Sequence, residues 1–235
     1  MKKTAILIDG GFFFNCIQDI CGILDTKSLV RICENGADLL LSRYAEGFAL
    51  EGVYFYDSLT PESGGITRNP VTRQVMDRSK AFRYRAKFLE HIVKFGRINP
   101  FIFKQGIVRF SPTWTLTPAA VKKLLKRPDR QDAIITDSDL HLKWEQKAVD
   151  MQLGIDIADL SFNQRVNQIV LISGDTDFGP ALALARKYGV EVVLDPMEHP
   201  NRKGQIRLEL WAEADHVVKD LWTAELALAT KKSPG

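Results

Sequence analysis

Four largely apolar runs, rich in β-branched and aromatic residues, mark the chain at Thr4–Ile8, Leu50–Tyr56, Ile169–Ile172 and Val190–Leu194. Runs of this length bounded by turn residues predict buried strands. Each meets an acid at its carboxyl end: Asp9, Asp57, the pair Asp175/Asp177, and Asp195. Helical periodicity fills the intervals. Phe12–Ile23 predicts one helix. Lys27–Glu46, capped by Asp25 or Thr26, predicts a second with Leu29, Ile32, Leu39, Leu40 and Tyr44 on its apolar stripe. Arg73–Phe95 predicts a third, with Phe82, Ala86, Leu89 and Val93 at 4-3-4 spacing. Val149, Leu153, Ile157 and Leu160 stripe a helix that ends near Leu160. Pro180 suits the first position of a helix over Ala181–Lys187, which Gly189 can end. Gln205–Glu213 reads as helical, and His216–Val218 as a last short strand before a closing helix. Thr60–Pro70 and Met197–Gly204 read as loops. In between, Phe101–Phe110 predicts a strand or a hairpin around Gln105–Gly106, Lys122–Arg130 a short helix, and Leu140–Trp144 a short strand. Strands alternating with helices predict an α/β fold with a mostly parallel central sheet.

At 235 residues and 45% hydrophobic content, the chain suits one domain over residues 1–230 with a proper core, and a loose tail at 231–235. The net charge of +3 hides an asymmetry. Between Arg68 and Arg130, sixteen Lys/Arg meet three acids, a local +13, while the remainder carries −10. The stretch of about 60–135 therefore reads as a basic insertion in an acidic frame. Lys80, Arg83, Lys87, His91 and Lys94 lie on one side of the third helix. Such a face is either solvated or binds an anionic partner, and its single sign favours the partner. Lys104 and Arg109 lie among Phe101, Phe103, Phe110 and Trp114. Those aromatics could stack nucleobases while the bases hold phosphate, or they could be core. Lys147 adds a further base ahead of Asp150.

The three cysteines, Cys16, Cys21 and Cys33, form no metal-ligand spacing. Their apolar, helical surroundings suit reduced core thiols in a cytoplasmic protein. Asp9 interrupts the apolar start and no small-residue cleavage site follows, which argues against a signal peptide. No segment approaches the ~20 apolar residues of a membrane span.

The chemistry concentrates in Ser173-Gly174-Asp175-Thr176-Asp177, which a strand–turn–helix lifts onto the carboxyl edge of the sheet, where α/β folds build sites. Two carboxylates this close repel unless a cation lies between them. They either cap the next helix or hold a metal. If the strands near residues 5 and 169 are parallel neighbours, Asp9 meets the Asp175/Asp177 turn. With no His or Cys cluster the ligands would all be oxygen, favouring Mg²⁺ or Mn²⁺ over zinc. Such an ion beside a basic surface points to phosphodiester chemistry. There is no G-x-G-x-x-G, no P-loop and no nucleophile elbow.

Three segments in order, Ala5-Ile-Leu-Ile-Asp9-Gly10, Lys147-Ala-Val-Asp150 with Asp156 six residues on, and Leu171-Ile-Ser-Gly-Asp175-Thr-Asp177-Phe-Gly-Pro180, resemble the motifs of NYN domains, within the PIN-like metal-dependent ribonucleases. The resemblance spans about residues 4–220. It implies a Rossmann-like α/β/α three-layer sandwich with an acidic pocket for Mg²⁺ or Mn²⁺. By motif position, Asp9, Asp150, Asp175 and Asp177 would be the catalytic and metal-binding acids, supported by Asn15, Ser173 and Asp156. Two departures stand out: Ala148 occupies a position where the family often has Gly, and the Asn that often closely follows the first Asp is displaced to Asn15.

The expected function is a metal-dependent ribonuclease acting on single-stranded or structured RNA. The alternatives are an RNA-binding or regulatory module of the same fold and a small-phosphoester phosphatase. The first strand lacks the D-x-D that an aspartyl-phosphate mechanism would show, which weighs against the phosphatase. A homo-oligomer is compatible with the sequence.

Overall fold

A computed structural model describes residues 1–22, 24–58, 66–68, 73, 75–77, 79–126, 135–200 and 208–222. The apolar runs form β1 (Lys3–Asp9), β2 (Ala49–Asp57), β8 (Gln168–Ile172) and β9 (Glu191–Asp195), joined in one sheet by β5 (Phe101–Gln105) and β10 (His216–Val217). The six strands are all parallel, in the order β10-β9-β8-β1-β2-β5. This is the doubly wound order, with its chain reversal between β1 and β8.

Burial explains why the inner parts of these runs are apolar on both faces. Successive strand residues point to opposite faces, and both faces are covered. Ile6, Ile8, Val53, Phe55, Val170 and Ile172 pack beneath α1 (Gly10–Cys21), α2 (Thr26–Tyr44) and α3 (Ser79–Phe95). Ala5, Leu7, Tyr54, Tyr56, Ile169 and Leu171 pack beneath α5 (Val149–Phe162) and α6 (Gly179–Lys187). The result is the expected three-layer α/β/α sandwich. Asp25, rather than Thr26, caps α2, accepting from the amides of Lys27 and Ser28 at 3.0 Å.

Several elements depart from the periodicity. α3 begins at Ser79, not Arg73, because Val75–Asp77 forms β4, antiparallel to β3 (Ile66–Arg68) within the expected loop. Its buried residues include Phe88, Leu89 and Ile92, while Val93 is 65% exposed. Ile92 faces the core, so Val93, ~100° further round the helix, faces solvent. Phe101–Phe110 is not a hairpin. β5 joins the central sheet, and after Gly106 the chain leaves it as β6 (Ile107–Leu116), antiparallel to β7 (Leu140–Lys147) in a separate ribbon. Thr117 caps α4 (Pro118–Leu125) by accepting from Ala120 N at 3.1 Å, so this helix lies earlier than Lys122–Arg130. Residues 127–134 and the closing segment after Trp222 lie outside the described residues. Of the basic stretch 60–135, α3 and β5 are layers of the sandwich itself. α7 is one turn, Leu208–Trp211. No described helix is long and apolar enough to cross a membrane.

Trp222 closes the α1–α3 face. Its Nε1 donates to buried Asp195 at 2.8 Å, and its ring lies against Phe13 and Gly36. A Cβ at Gly36 would stand 2.2 Å from Trp222 Cη2. Overpacking costs ~1–3 kcal/mol, against a gain of ~1 kcal/mol from placing Ala in a helix. Gly36→Ala should therefore be destabilising on balance, measured as a lower urea midpoint with an unchanged m-value. A raised midpoint would show that Trp222 is not packed there.

Candidate active site

The chain reversal puts β1 beside β8 with Ile8 level with Ile172, so the residues that follow, Asp9 and Ser173, emerge together. Each strand turns at once into a helical segment. Glycine makes both turns possible by close approach. A Cβ on Gly10 would lie 2.7 Å from Tyr56 O, and one on Gly174 would lie 2.5 Å from Phe12 Cε2.

Hydrogen bonds tie the two turns together. Asp9 Oδ1 accepts from Phe12 N at 3.0 Å, capping α1, and Asp9 Oδ2 accepts from Ser173 Oγ at 3.1 Å. Ser173 Oγ accepts from Asp175 N at 3.2 Å, and Asp175 Oδ1 from Asp177 N at 3.0 Å. Asp9 and Asp175 thus do cap, each at the start of its own turn. Asp177 does not: it is exposed, and α6 begins without a side-chain cap.

Asp150 arrives from the other face, in the first turn of α5. Ala148 makes the turn from β7 into that helix with φ 73° and ψ −7°. That left-handed conformation explains why glycine suits the position.

The acids share one field. Burial pushes the Asp9 carboxyl up; the Phe12 amide and Ser173 hydroxyl oppose this, and Asp150 and Asp175 add to it. Asp150 is also pushed up, first by burial and then by Asp175 and Asp177. Both shifts disfavour the ionised forms in the fold, so this strain is present at neutral pH and relaxes as pH falls through the raised values. A cation would relax it as well.

The donor set fits a hard divalent ion, since it offers carboxylate oxygens and a hydroxyl with no imidazole or thiolate. Asp150, Asp177 and Asp175 Oδ2 make no hydrogen bond with the described residues. As they stand, no three acidic, His or Cys side chains among the described residues close round an ion.

The expected supporting residues divide. Ser173 lies between Asp9 and the Asp175 amide. Asn15 is exposed on α1, ~9 Å along the axis from Asp9, with no hydrogen bond to the acids. Asp156 makes no hydrogen bond to them. It accepts from Tyr56 OH at 2.8 Å and pairs with Lys104 Nζ at 3.1 Å, anchoring α5 to β2 and β5. Burial and Asp156 push the Tyr56 phenol up, so it remains the donor. Lys104 is thus an ion-pair partner, and it also lies 5.8 Å from the Tyr54 ring centroid. Arg83, Lys87 and Lys94 are exposed on one side of α3. Lys80, Arg109 and Lys147 are placed by backbone alone, at the start of α3, in β6 opposite Glu145 and at the end of β7 beside Ala148.

One pair escaped the sequence reading. Asp57 ends β2, is buried, and takes both contacts of Arg85 Nη1, at 3.0 and 3.3 Å. Burial pushes its carboxyl up, and Arg85 pulls against that. The only sequence signal was an acid at a strand end followed by a cation-rich helix.

The NYN domain family model matches residues 81–219, well over half of the chain. The chain belongs to the NYN domain family. The matched part of this NYN protein contains Asp150, Asp175 and Asp177; the strand bearing Asp9 precedes it. A crystal structure of a protein of unknown function from Vibrio parahaemolyticus is similar at 14% identity over 94% of each chain, with a TM-score of 0.47. No curated protein matches the NYN chain.

Relieving the left-handed strain at Ala148 should stabilise the fold. Ala148→Gly is expected to add roughly 0.5 kcal/mol, the steric relief of ~1–2 kcal/mol less glycine's unfolded-state entropy. Chemical denaturation checks this; a loss of 1 kcal/mol or more would contradict the backbone placement of Asp150.

Proposed function

We propose that this NYN protein is a metal-dependent ribonuclease that hydrolyses RNA phosphodiester bonds at the β1–β8 edge. The observation that carries the reading is the shared field of Asp9, Asp150 and Asp175, contributed by two strand ends and a helix start. Asp9, Asp150, Asp175 and Asp177 would hold Mg²⁺ or Mn²⁺, which when bound polarises phosphate and lowers the pKa of water. Ser173 and the Phe12 amide fix the orientation of the Asp9 carboxylate. Ala148 aims the first turn of α5 at the same edge, and Gly174 lets the two turns close on each other. Arg83, Lys87 and Lys94, with Lys80, Arg109 and Lys147, would supply phosphate contacts, and Lys104 would orient Asp156. The described cysteines are free thiols, which suits the cytoplasmic location expected from the sequence.

A second reading, an RNA-binding module without turnover, is favoured by the exposed, one-signed face of Arg83, Lys87 and Lys94, which could hold RNA without the acids. Labelled single-stranded RNA incubated with Mn²⁺, Mg²⁺ or EDTA separates the two. The nuclease reading predicts cleavage only with metal, reduced to background by Asp175→Asn while circular dichroism stays unchanged. Cleavage that survives EDTA or Asp175→Asn would overturn the site. Tight, salt-sensitive binding without cleavage would favour the module.

A further inference from the structure

Asp57 stands at the same edge as the four acids but is withheld from them by its pairing with Arg85. Asp9 is level with Tyr56 across β1 and β2, so Asp57 lies one residue beyond, one strand spacing (~4.8 Å) over. A Cβ on Gly10 would be 2.9 Å from Asp57 Cβ, so Asp57 abuts the residue that follows Asp9. Tyr56 points to the α5 face and pairs with Asp156; Asp57 therefore points to the α1–α3 face, where Arg85 meets it.

The guanidinium is used on one side only. Nη1 makes both contacts to Asp57, whereas Nε and Nη2 make no hydrogen bond among the described residues. Its central carbon lies 4.9 Å from the Phe14 ring centroid, a cation–π contact that helps hold the head group in place. Asp57 is 1% exposed and Arg85 20%, so the acid is sealed in while the cation side chain keeps part of its surface exposed. Neutralising a buried carboxylate needs only one nitrogen. The other two form the planar half-fork that fits phosphate oxygens.

We infer that Arg85 is a substrate-binding residue, its Nε and Nη2 holding a phosphate of an RNA strand that crosses the carboxyl edge from Asp9 toward β2. This deepens the ribonuclease reading and rests on it. Asp57 is then a positioning residue that aims the fork and adds nothing to the metal site.

The double variant Asp57→Asn/Arg85→Gln tests this. It preserves net charge and leaves an amide pair in place of the ion pair, so it removes the phosphate fork without leaving a buried charge unpaired. Single-stranded RNA binding in EDTA should weaken about tenfold, with a log Kd versus log salt slope shallower by about 0.7. Thermal unfolding should stay within a few degrees of wild type. Asp57→Asn alone, which loosens the aim of the fork but keeps its charge, should weaken binding less than the double variant and leave the salt slope unchanged. Wild-type affinity and slope in a folded double variant would overturn the inference while metal-dependent cleavage by the wild type left the ribonuclease reading intact. A double variant that unfolds would assign the pair to structure, provided Arg85→Lys, which retains the charge but not the fork, folds and binds as wild type. Loss of binding in folded Arg85→Lys would support it. A wild type that neither binds nor cleaves RNA would remove both readings together.

Discussion

The hydrogen-bonded link from Asp9 through Ser173 to the Asp175 amide is the contact on which the site depends. It joins the ends of two strands that are 164 residues apart in sequence yet adjacent at the sheet's reversal point. The parallel register of β1 and β8 brings Ser173 level with Asp9. Gly10 and Gly174 then allow both turns to approach closely. Neither strand alone holds an acid in a useful position. What the two carboxylates share is a fixed, partly buried edge between the α-layers.

Burial and repulsion give that edge its character. A carboxylate withdrawn from water needs a donor, a cation or a proton. Among the described residues, donors reach Asp9 while none reaches Asp150 or Asp177, an arrangement that favours a positive charge nearby. Asp57 shows the opposite solution a strand away, where Arg85 supplies the cation permanently. The same residue type at two neighbouring strand ends thus has two fates, decided by whether a guanidinium lies within reach.

The sheet and the acid cluster were legible because both depend on local patterns. Strands buried on both faces are mostly apolar, and an acid straight after such a strand falls on the edge of the sheet. The left-handed turn at Ala148 was foreshadowed by its resemblance to a glycine position. Other features depend on spatial proximity, which spacing does not encode. β5 and β6 look like one hairpin in sequence because a single residue separates strands of two sheets. Val93 and Ile92 are equally apolar, and only the rotation of α3 against α2 decides which is buried. Asn15 lies about two turns along α1, exposed, with no hydrogen bond to Asp9. Lys104 pairs with Asp156 across α5 and β5, a contact that no spacing in the sequence announces. Arg85, hidden within a cation-rich run, is singled out only by the strand end it meets.

The proposed site requires Asp9, Asp150 and Asp175 to act together although they come from three different elements. Titration calorimetry with Mn²⁺ on the RNA-free protein tests this most directly, comparing wild type with Asp9→Asn and Asp150→Asn. Binding by the wild type that is strongly weakened in each variant is the predicted result. Mn²⁺ binding unaltered in either folded variant, or absent from the wild type, would contradict it.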